Sequence, residues 1–488
     1  MPVTGGRTLS SHPMASAPAD KLKLAAQTAR RIEDGISAAG WPIDQVFGSE
    51  TDLMHRYEVS RAVLREAIRL VEHHGVARMR RGPSGGLIVC KPDATAVISA
   101  VAVYLDHVGT TVDDLIYARR ILEPLAASIA AQRITEDEIR ELRSFLEAHT
   151  EESSRGLVGE DDQAVHLAIA TVSRNDALVL FIEVLIELTS HYGTTRSKMT
   201  GAERANATNQ MHQDHSRLAS EIISGNGEAA RQLADAHLEA VQKYYLQPGR
   251  RSRPTSFEAS PAERPDKLAE LTARNVQAAL AELKLPVGTV IGSEPELLER
   301  FRVSRAVFRE AVRLLEHHSI ATMRRGPGGG LVIARPDPSA SIEAAALFLQ
   351  YHGTTARDLN VVRQALELGV IDLLSTRPPD NELAATMRAE MALLEQTEDL
   401  REHVGSFHPR LGDFAGNPIL ALLLRITLEL WSRNGELPSG AVPASRNRLE
   451  AAVTAHDSIV AAIADRDYAL ARHRMSRHLD ALVGFTEW

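Results

Sequence analysis

The chain has 488 residues, 44% of them hydrophobic, and a formal net charge of −9. This length exceeds one compact domain and predicts three or four. A single cysteine excludes an internal disulfide, and no apolar run reaches the roughly 18 residues that a membrane helix needs, so we expect no membrane partner. Since the N-terminus also has no signal-peptide pattern, the composition predicts a cytoplasmic protein.

The first hundred residues predict a small domain that begins after a polar tail. Residues 1–19 are rich in Ser, Pro, Ala and Gly, which predicts disorder, and an amphipathic helix should follow from Lys21 to Ala39. Ser49, with Asp52 three residues later, has the pattern of a capping box that begins a short helix. Ser60 should cap the next helix.

That next helix is amphipathic, and a glycine-rich hairpin should follow it. Its apolar stripe comprises Val63, Leu64, Ala67, Ile68 and Val71, and its opposite face carries Arg61, Arg65 and Arg69. Downstream, 79–81 and 87–89 flank a Gly-Pro-Ser-Gly-Gly tip and predict a two-stranded ribbon. The predicted order is helix, turn, helix, wing.

The same module occurs twice in the chain. Residues 59–89 recur as 303–333 with 22 of 31 positions identical. The first copy holds six arginines against two acidic residues and the second holds five against two, although the whole chain is acidic. A local basic surface of this kind is typical of a phosphate-binding face, whereas a merely solvated helix face is the alternative.

Each module leads, through a short proline-containing connector, into a long stretch with helical periodicity and few strand signals. The fold class is therefore mainly α, with two helix-turn-helix and wing domains each followed by an all-α bundle. The segment between the two halves is rich in Pro, Arg and Ser, which predicts a linker. The expected boundaries are a tail at 1–19, domains at 20–93 and 94–246, a linker at 247–264, and domains at 265–337 and 338–488.

Histidines in the first bundle predict a metal site. Asp162 and His166 are four residues apart and share one helix face, while His215 and His237 are equidistant from a glycine-containing turn. In an antiparallel helical hairpin, equal distance from the turn brings two residues level. One carboxylate and three imidazoles could then hold a divalent ion. Buried structural histidines are the alternative, and His212 could replace His215.

The second bundle repeats the histidines but not the carboxylate. His408, His456 and His478 match the spacing, whereas Val404 stands where the first copy has Asp162. A site without this anionic ligand should bind a dication less tightly. We therefore expect a weaker second site.

Several motifs resemble those of GntR-type transcription regulators. The elements that carry the resemblance are Glu50-x-x-Leu53, Val59-Ser60-Arg61, Leu64-Arg65-Glu66-Ala67 and Arg81-Gly82. The D-x3-H pattern and the histidine spacings are similar to the metal-binding set of the FCD domain in the FadR branch of that family. The resemblance implies a winged helix-turn-helix whose arginines contact guanines and whose wing tip enters the minor groove. Thr51 and Pro295 depart from it, because many relatives have an arginine there.

The resemblance assigns residue roles in both copies. The DNA-binding residues would be Ser60, Arg61, Arg65, Arg81 and Gly82, and Ser304, Arg305, Arg309, Arg325 and Gly326. In relatives, the arginine at the position of Arg119 and Arg363 faces an effector pocket, where it could clamp a small carboxylate. An ordinary i,i+4 ion pair with Glu123 or Glu367 is the competing explanation.

These patterns predict a tandem regulator in which one chain acts as a pseudo-dimer, with a further homodimer left open. It should bind double-stranded DNA at a palindromic operator, most simply as a repressor, under control of a small organic acid and a Zn, Ni or Mn ion. No covalent chemistry is expected. A metal-dependent enzyme and an architectural DNA-binding protein without an effector are the two alternatives.

Overall fold

The computed structural model forms two compact units, Met1–Asp93 and Ala94–Trp488, and each is described by itself. The described residues are 18–80, 82, 85–154, 161–192, 201–245, 268–283, 285–326, 328–377, 385–389, 400–433 and 446–483. The linker predicted at 247–264 and most of the predicted tail lie outside them. The first helix begins at Pro18, two residues before the end of the predicted tail.

The first unit is a winged helix-turn-helix. Its elements are α1 (Pro18–Ala38), β1 (Val46–Gly48), α2 (Glu50–Tyr57), α3 (Arg61–His73), β2 (Ala77–Arg80) and β3 (Gly86–Val89). The predicted two-stranded ribbon forms from β2 and β3, and β1 adds a third antiparallel strand that was not predicted, in the order β1-β3-β2. The three residues of β1 are too few to show an alternating pattern in the sequence.

Side-chain caps set where the two central helices of this unit begin. The Ser49 side chain accepts from the backbone N–H of Asp52 at 3.2 Å, and the Asp52 carboxylate accepts from the backbone N–H of Ser49 at 3.2 Å. The Ser60 hydroxyl accepts from Val63 N at 3.4 Å. The predicted apolar stripe of α3 is buried, and α1 packs against this helix. The capping box and the amphipathic recognition helix are thus confirmed.

The second unit begins with the apolar helix α4 (Ala94–Val108) and contains the second winged helix-turn-helix after the first helical domain. The elements of this second copy are α11 (Leu268–Leu283), β4 (Val290–Gly292), α12 (Glu294–Phe301), α13 (Arg305–His317), β5 (Ala321–Arg324) and β6 (Gly330–Ile333). Its sheet repeats the order of the first, β4-β6-β5. Gly75 ends the first recognition helix with φ 72°, and Ser319 takes the same left-handed conformation with φ 51°.

Both remaining domains are helical, and no strand occurs among their described residues. The first comprises α4 (Ala94–Val108), α5 (Val112–Arg133), α6 (Glu136–Ser154), α7 (Asp161–Val172), α8 (Asp176–Tyr192), α9 (Gly201–Ile223) and α10 (Gly227–Tyr245). The second comprises α14 (Ser339–Tyr351), α15 (Ala356–Ser375), α16 (Leu400–Ala415), α17 (Pro418–Arg433), α18 (Arg446–Ala464) and α19 (Tyr468–Val483). None of the described helices is long and apolar enough to cross a membrane.

The two helical domains share one hydrophobic core and pack as a pseudo-symmetric pair. Helix α4 packs against α14, and α5 packs against α15. The Asn175 side-chain amide donates to the Asp358 carbonyl at 3.1 Å, and the aligned Asn417 donates to the Asp114 carbonyl at 3.1 Å. Contacts that recur with the partners exchanged are the mark of a two-fold arrangement.

Candidate nucleic-acid interface and metal centre

Each recognition helix presents two exposed arginines in its first turns. The side chains of Arg61 and Arg65 are both 63% exposed, and those of Arg305 and Arg309 are 63% and 65% exposed. Ser60 and Ser304 stand at the N-caps of the same helices, and their hydroxyls accept backbone N–H bonds. The structure therefore brings together the residues predicted to contact bases.

In each winged helix-turn-helix, one glutamate contacts both arginines, a contact that the sequence analysis did not predict although it quoted Glu50 as part of a motif. The Glu50 carboxylate lies 2.8 Å from Arg65 Nε and 3.4 Å from Arg61 Nε. In the second copy, Glu294 lies 3.3 Å and 3.2 Å from the matching arginines. The signal that could have revealed this role is the retention of this glutamate as the first residue of α2 and of α12. Exposed ion pairs of this type are weak, so the arginines can exchange them for DNA contacts.

The wing tips are open and depend on glycine. Gly82 has φ 119° and Gly326 has φ 100°, both in the region that favours glycine. A Cβ at either position would meet nothing within 4 Å among the described residues. Arg325 is exposed beside its tip, whereas Arg81 lies outside the described residues.

Three buried histidines converge in the first helical domain, as predicted. His166 on α7, His215 on α9 and His237 on α10 offer ligand atoms that all lie within 4.8 Å of one another. The Nε2 atoms of His166 and His215 are 3.2 Å apart, and the rings of His215 and His237 are 4.7 Å apart between centroids. The helical hairpin between α9 and α10 thus places its two histidines level.

A buried ion-pair chain orients one of these histidines. Glu123 Oε1 lies 2.5 Å from Arg119 Nε, and its other oxygen lies 2.6 Å from His166 Nδ1. An ionised carboxylate only accepts, which favours the proton on Nδ1 and leaves Nε2 with its lone pair toward the other imidazoles. The role of Glu123 toward His166 was missed, because 43 residues separate the two and no periodicity links them.

Burial keeps the imidazoles of His215 and His237 neutral. Burial, together with the neighbouring His166 and His237, lowers the pKa of His215 to about 2, and burial with His166 lowers the pKa of His237 to about 3. Burial alone would raise the pKa of Glu123, but Arg119 and His166 outweigh it and hold that pKa well below its ordinary value. Neutral imidazoles next to an oriented carboxylate are the donors that a divalent ion requires.

One further observation indicates that these histidines are suited to binding a metal ion. His237 Nε2 is buried and has no hydrogen-bond partner among the described residues, which is costly for a polar atom unless something binds it. Asp162 lies on α7, four residues before His166, but its side chain is outside the described residues. Its place as a fourth ligand stays a prediction.

The second helical domain repeats the cluster. His456 Nε2 lies 3.0 Å from His478 Nε2, which lies 3.5 Å from His408 Nε2. His408 Nδ1 lies 2.5 Å from Glu367, which lies 2.6 Å from Arg363 Nε. Burial and His408 lower the pKa of His478 to about 3. The side chain of Val404, at the aligned carboxylate position, is outside the described residues.

The competing explanation for the two arginines is also observed. Both Arg119 and Arg363 form the buried i,i+4 pair with a glutamate. Arg363 additionally lies under the Trp431 ring, 4.4 Å from its centroid, where the first copy has Thr189. In each domain the same glutamate also contacts a histidine of the cluster, so the ion pair and the cluster are connected.

A winged helix-turn-helix joined to an all-helical domain with a buried three-histidine cluster defines a class of ligand-responsive DNA-binding proteins. The FCD domain model matches residues 114–240 and 358–481, together a little more than half of the chain. The chain belongs to the FCD-domain family of GntR-type transcription regulators.

Relatives match roughly half of the chain. The HTH-type transcriptional regulator LutR of Bacillus subtilis is 25% identical over 212 residues, which is 43% of this chain and 94% of LutR. The Exu regulon transcriptional regulator of Escherichia coli is 26% identical over 220 residues, 44% and 81% of the two chains. The transcriptional repressor NanR of Salmonella arizonae is 22% identical over 259 residues, 52% and 94%. Among solved structures, Streptococcus agalactiae GntR covers 45% of this chain and 99% of its own, with 20% identity and a TM-score of 0.32.

Proposed function

We propose that this chain represses transcription by binding a palindromic operator with both winged helices, and that a small carboxylate releases it. The observation that carries the proposal is the buried histidine cluster with its Arg–Glu pair, present in each helical domain. The exposed arginines of α3 and α13 support the DNA-reading role. We keep 20–93, 94–246, 265–337 and 338–488 as the proposed domain boundaries, and the cytoplasm as the proposed location.

A divalent ion would be held by His166, His215 and His237, with Asp162 as the proposed fourth ligand. Three nitrogens and one oxygen suit several borderline ions, so Zn, Ni and Mn remain the candidates. When bound, the ion supplies a positive charge that attracts a carboxylate. Arg119 adds a guanidinium that can donate two hydrogen bonds to the same carboxylate.

The repression mechanism is a shift between two arrangements of the two winged helix-turn-helix domains. An effector that binds one arrangement better than the other changes the population by its difference in affinity. Two heads in one chain bind the second half-site intramolecularly, at an effective concentration that can reach the millimolar range. Loss of the operator-compatible spacing therefore lowers affinity steeply.

One set of experiments separates this proposal from its alternatives. Sequences bound by the intact chain are selected from random duplex DNA, and bound metal is measured on the purified protein. A panel of small carboxylates, including citrate, is then tested for release of the selected DNA. Release supports the proposal. Metal without DNA binding would favour a metal-dependent enzyme, and DNA binding that no metal or carboxylate alters would favour an architectural protein.

A further inference from the structure

The two helical domains meet at a contact in which one side is large and the other is glycine. Helices α5 and α15 pack together, and Ile121 of α5 lies against the buried Gly369 of α15. A Cβ at Gly369 would approach Ile121 Cγ1 to 2.9 Å, closer than real contacts allow. Glycine is unfavourable inside a helix, and here its lack of a side chain leaves the space that the Ile121 side chain fills.

A second contact uses the same glycine. The Tyr117 hydroxyl donates to the Gly369 carbonyl at 3.1 Å. Burial, reinforced by Asp372, raises the pKa of Tyr117 to about 12, so the phenol keeps the proton that it donates.

The aligned positions of the other domain do not repeat this arrangement. With the offset of 244 residues that relates the copies, Ile121 aligns with Ala365, Leu125 with Gly369, and Tyr117 with Val361. Each large residue of the first domain thus corresponds to a smaller one in the second. The asparagines that bridge the domains, Asn175 and Asn417, are by contrast kept in both copies.

These sequence differences between the two domains leave the geometry of the pair unchanged but affect which domain can be the partner. In a two-fold pair of first domains, Ile121 would face Leu125 of the other copy, and the contact would be overpacked. In a pair of second domains, Ala365 would face Gly369 and leave a void, without the phenol hydrogen bond. The mixed pair fills the space, and it keeps the Tyr117 hydrogen bond that a pair of second domains lacks.

We infer that the first and second helical domains are matched to each other and reject second copies of themselves. Each helical domain therefore finds its pairing partner within the same chain. The asparagine bonds keep the two-fold geometry, and the volumes at Ile121 and Gly369 decide which partner is accepted. This inference concerns assembly and holds whether or not the chain binds DNA or metal.

The test uses the full chain with a protease site placed in the segment 247–264. After cleavage, isotopically labelled and unlabelled preparations are mixed, diluted, reconcentrated and examined by native mass spectrometry. We expect the halves to exchange only into complexes of one first half with one second half. Homotypic dimers of either half, at a population comparable to the mixed pair, would overturn the inference.

A volume exchange at the contact gives a second readout on the cleaved chain. Gly369→Leu should raise the dissociation constant of the halves by about tenfold or more, and adding Ile121→Ala should restore much of it. Ala451→Leu, which adds the same bulk at an exposed position of α18, is the control and should change nothing. Purely additive effects of the two substitutions would contradict the inference. If Gly369→Leu does not fold, the exchange experiment on the parent decides alone.

Discussion

The pair of Arg119 and Glu123 shows that two explanations of a residue can hold together. The i,i+4 spacing predicts an ordinary ion pair, and the structure contains it. The same carboxylate also lies 2.6 Å from His166 Nδ1, so the pair is connected to the histidine cluster. A helix-spacing argument cannot reveal that contact, because it depends on how α7 packs against α5. The same holds for Glu367 and His408 in the second domain.

The first prediction concerns this orienting carboxylate. Glu123→Gln keeps the size of the side chain but removes its charge, so the imidazole of His166 is less well oriented and less basic. We expect the affinity of the first site for a divalent ion to fall by about 10- to 100-fold. Competition with a chromophoric chelator measures it. Glu367→Gln, which acts on the second domain only, is the matched control. Unchanged affinity of the first site in Glu123→Gln would contradict the assigned role.

A second prediction belongs to the recognition arginines. Arg65→Ala and Arg309→Ala should each cost about 1–3 kcal/mol against the selected operator and less against random duplex DNA. Arg69→Ala, on the same helix as Arg65 but paired with Glu66, should have the smaller effect. Binding isotherms at several salt concentrations separate base contacts from phosphate contacts. Operator binding by both variants with the parent's affinity would disprove the recognition-helix assignment.

At the scale of elements, local signals predicted most of the fold. The capping box at Ser49, the apolar stripe of α3 and the level histidines on α9 and α10 all follow from spacing along one element or one hairpin. Strand β1 was missed because it has three residues and pairs with a strand 40 residues away. Contacts of Glu50 with the arginines were missed because they join two separate helices. The sequence therefore predicts elements well and contacts between elements poorly.

The third prediction concerns the residue that follows the recognition helix, which is Gly75 after α3 and Ser319 after α13. Ser319 has φ 51°, a conformation that costs a residue with a Cβ about 1 kcal/mol relative to glycine. Ser319→Gly should therefore slow amide hydrogen exchange in the last turn of α13. The reciprocal Gly75→Ser should speed exchange in the last turn of α3. Equal exchange in both variants and in the parent would show that this conformation carries no strain.

The whole molecule consists of two copies that share a framework and differ in their sites. Both copies keep three histidines and an Arg–Glu pair. The first copy has Asp162 where the second has Val404. The second copy has Phe407 and Trp431 where the first has Val165 and Thr189. The Phe407 ring stacks on His456 with 3.9 Å between centroids.

Because the helical domains pack on each other, cutting the linker should lower DNA affinity only slightly. A large loss of affinity is expected only if the linker alone holds the two halves together.

The fourth prediction follows from this asymmetry. A carboxylate gives a dication both an oxygen ligand and a negative charge, whereas valine gives neither. After dialysis of the full chain against a weak chelator, His456→Ala should retain nearly as much metal as its parent, and His215→Ala should retain far less. Elemental analysis of the dialysed proteins measures it. Equal losses in the two variants, or a larger loss in His456→Ala, would contradict the predicted order of the sites.

The central claim is that one chain reads two related half-sites, and protection of selected DNA tests it most directly. The two recognition stretches are nearly identical, so the bound sequence should be an imperfect palindrome, with half-sites whose spacing follows the helical repeat of DNA. We predict that one chain protects both half-sites at once, and that changing the spacing by half a turn abolishes tight binding. Protection of a single isolated half-site, with an affinity that ignores the presence and spacing of a second, would contradict the claim.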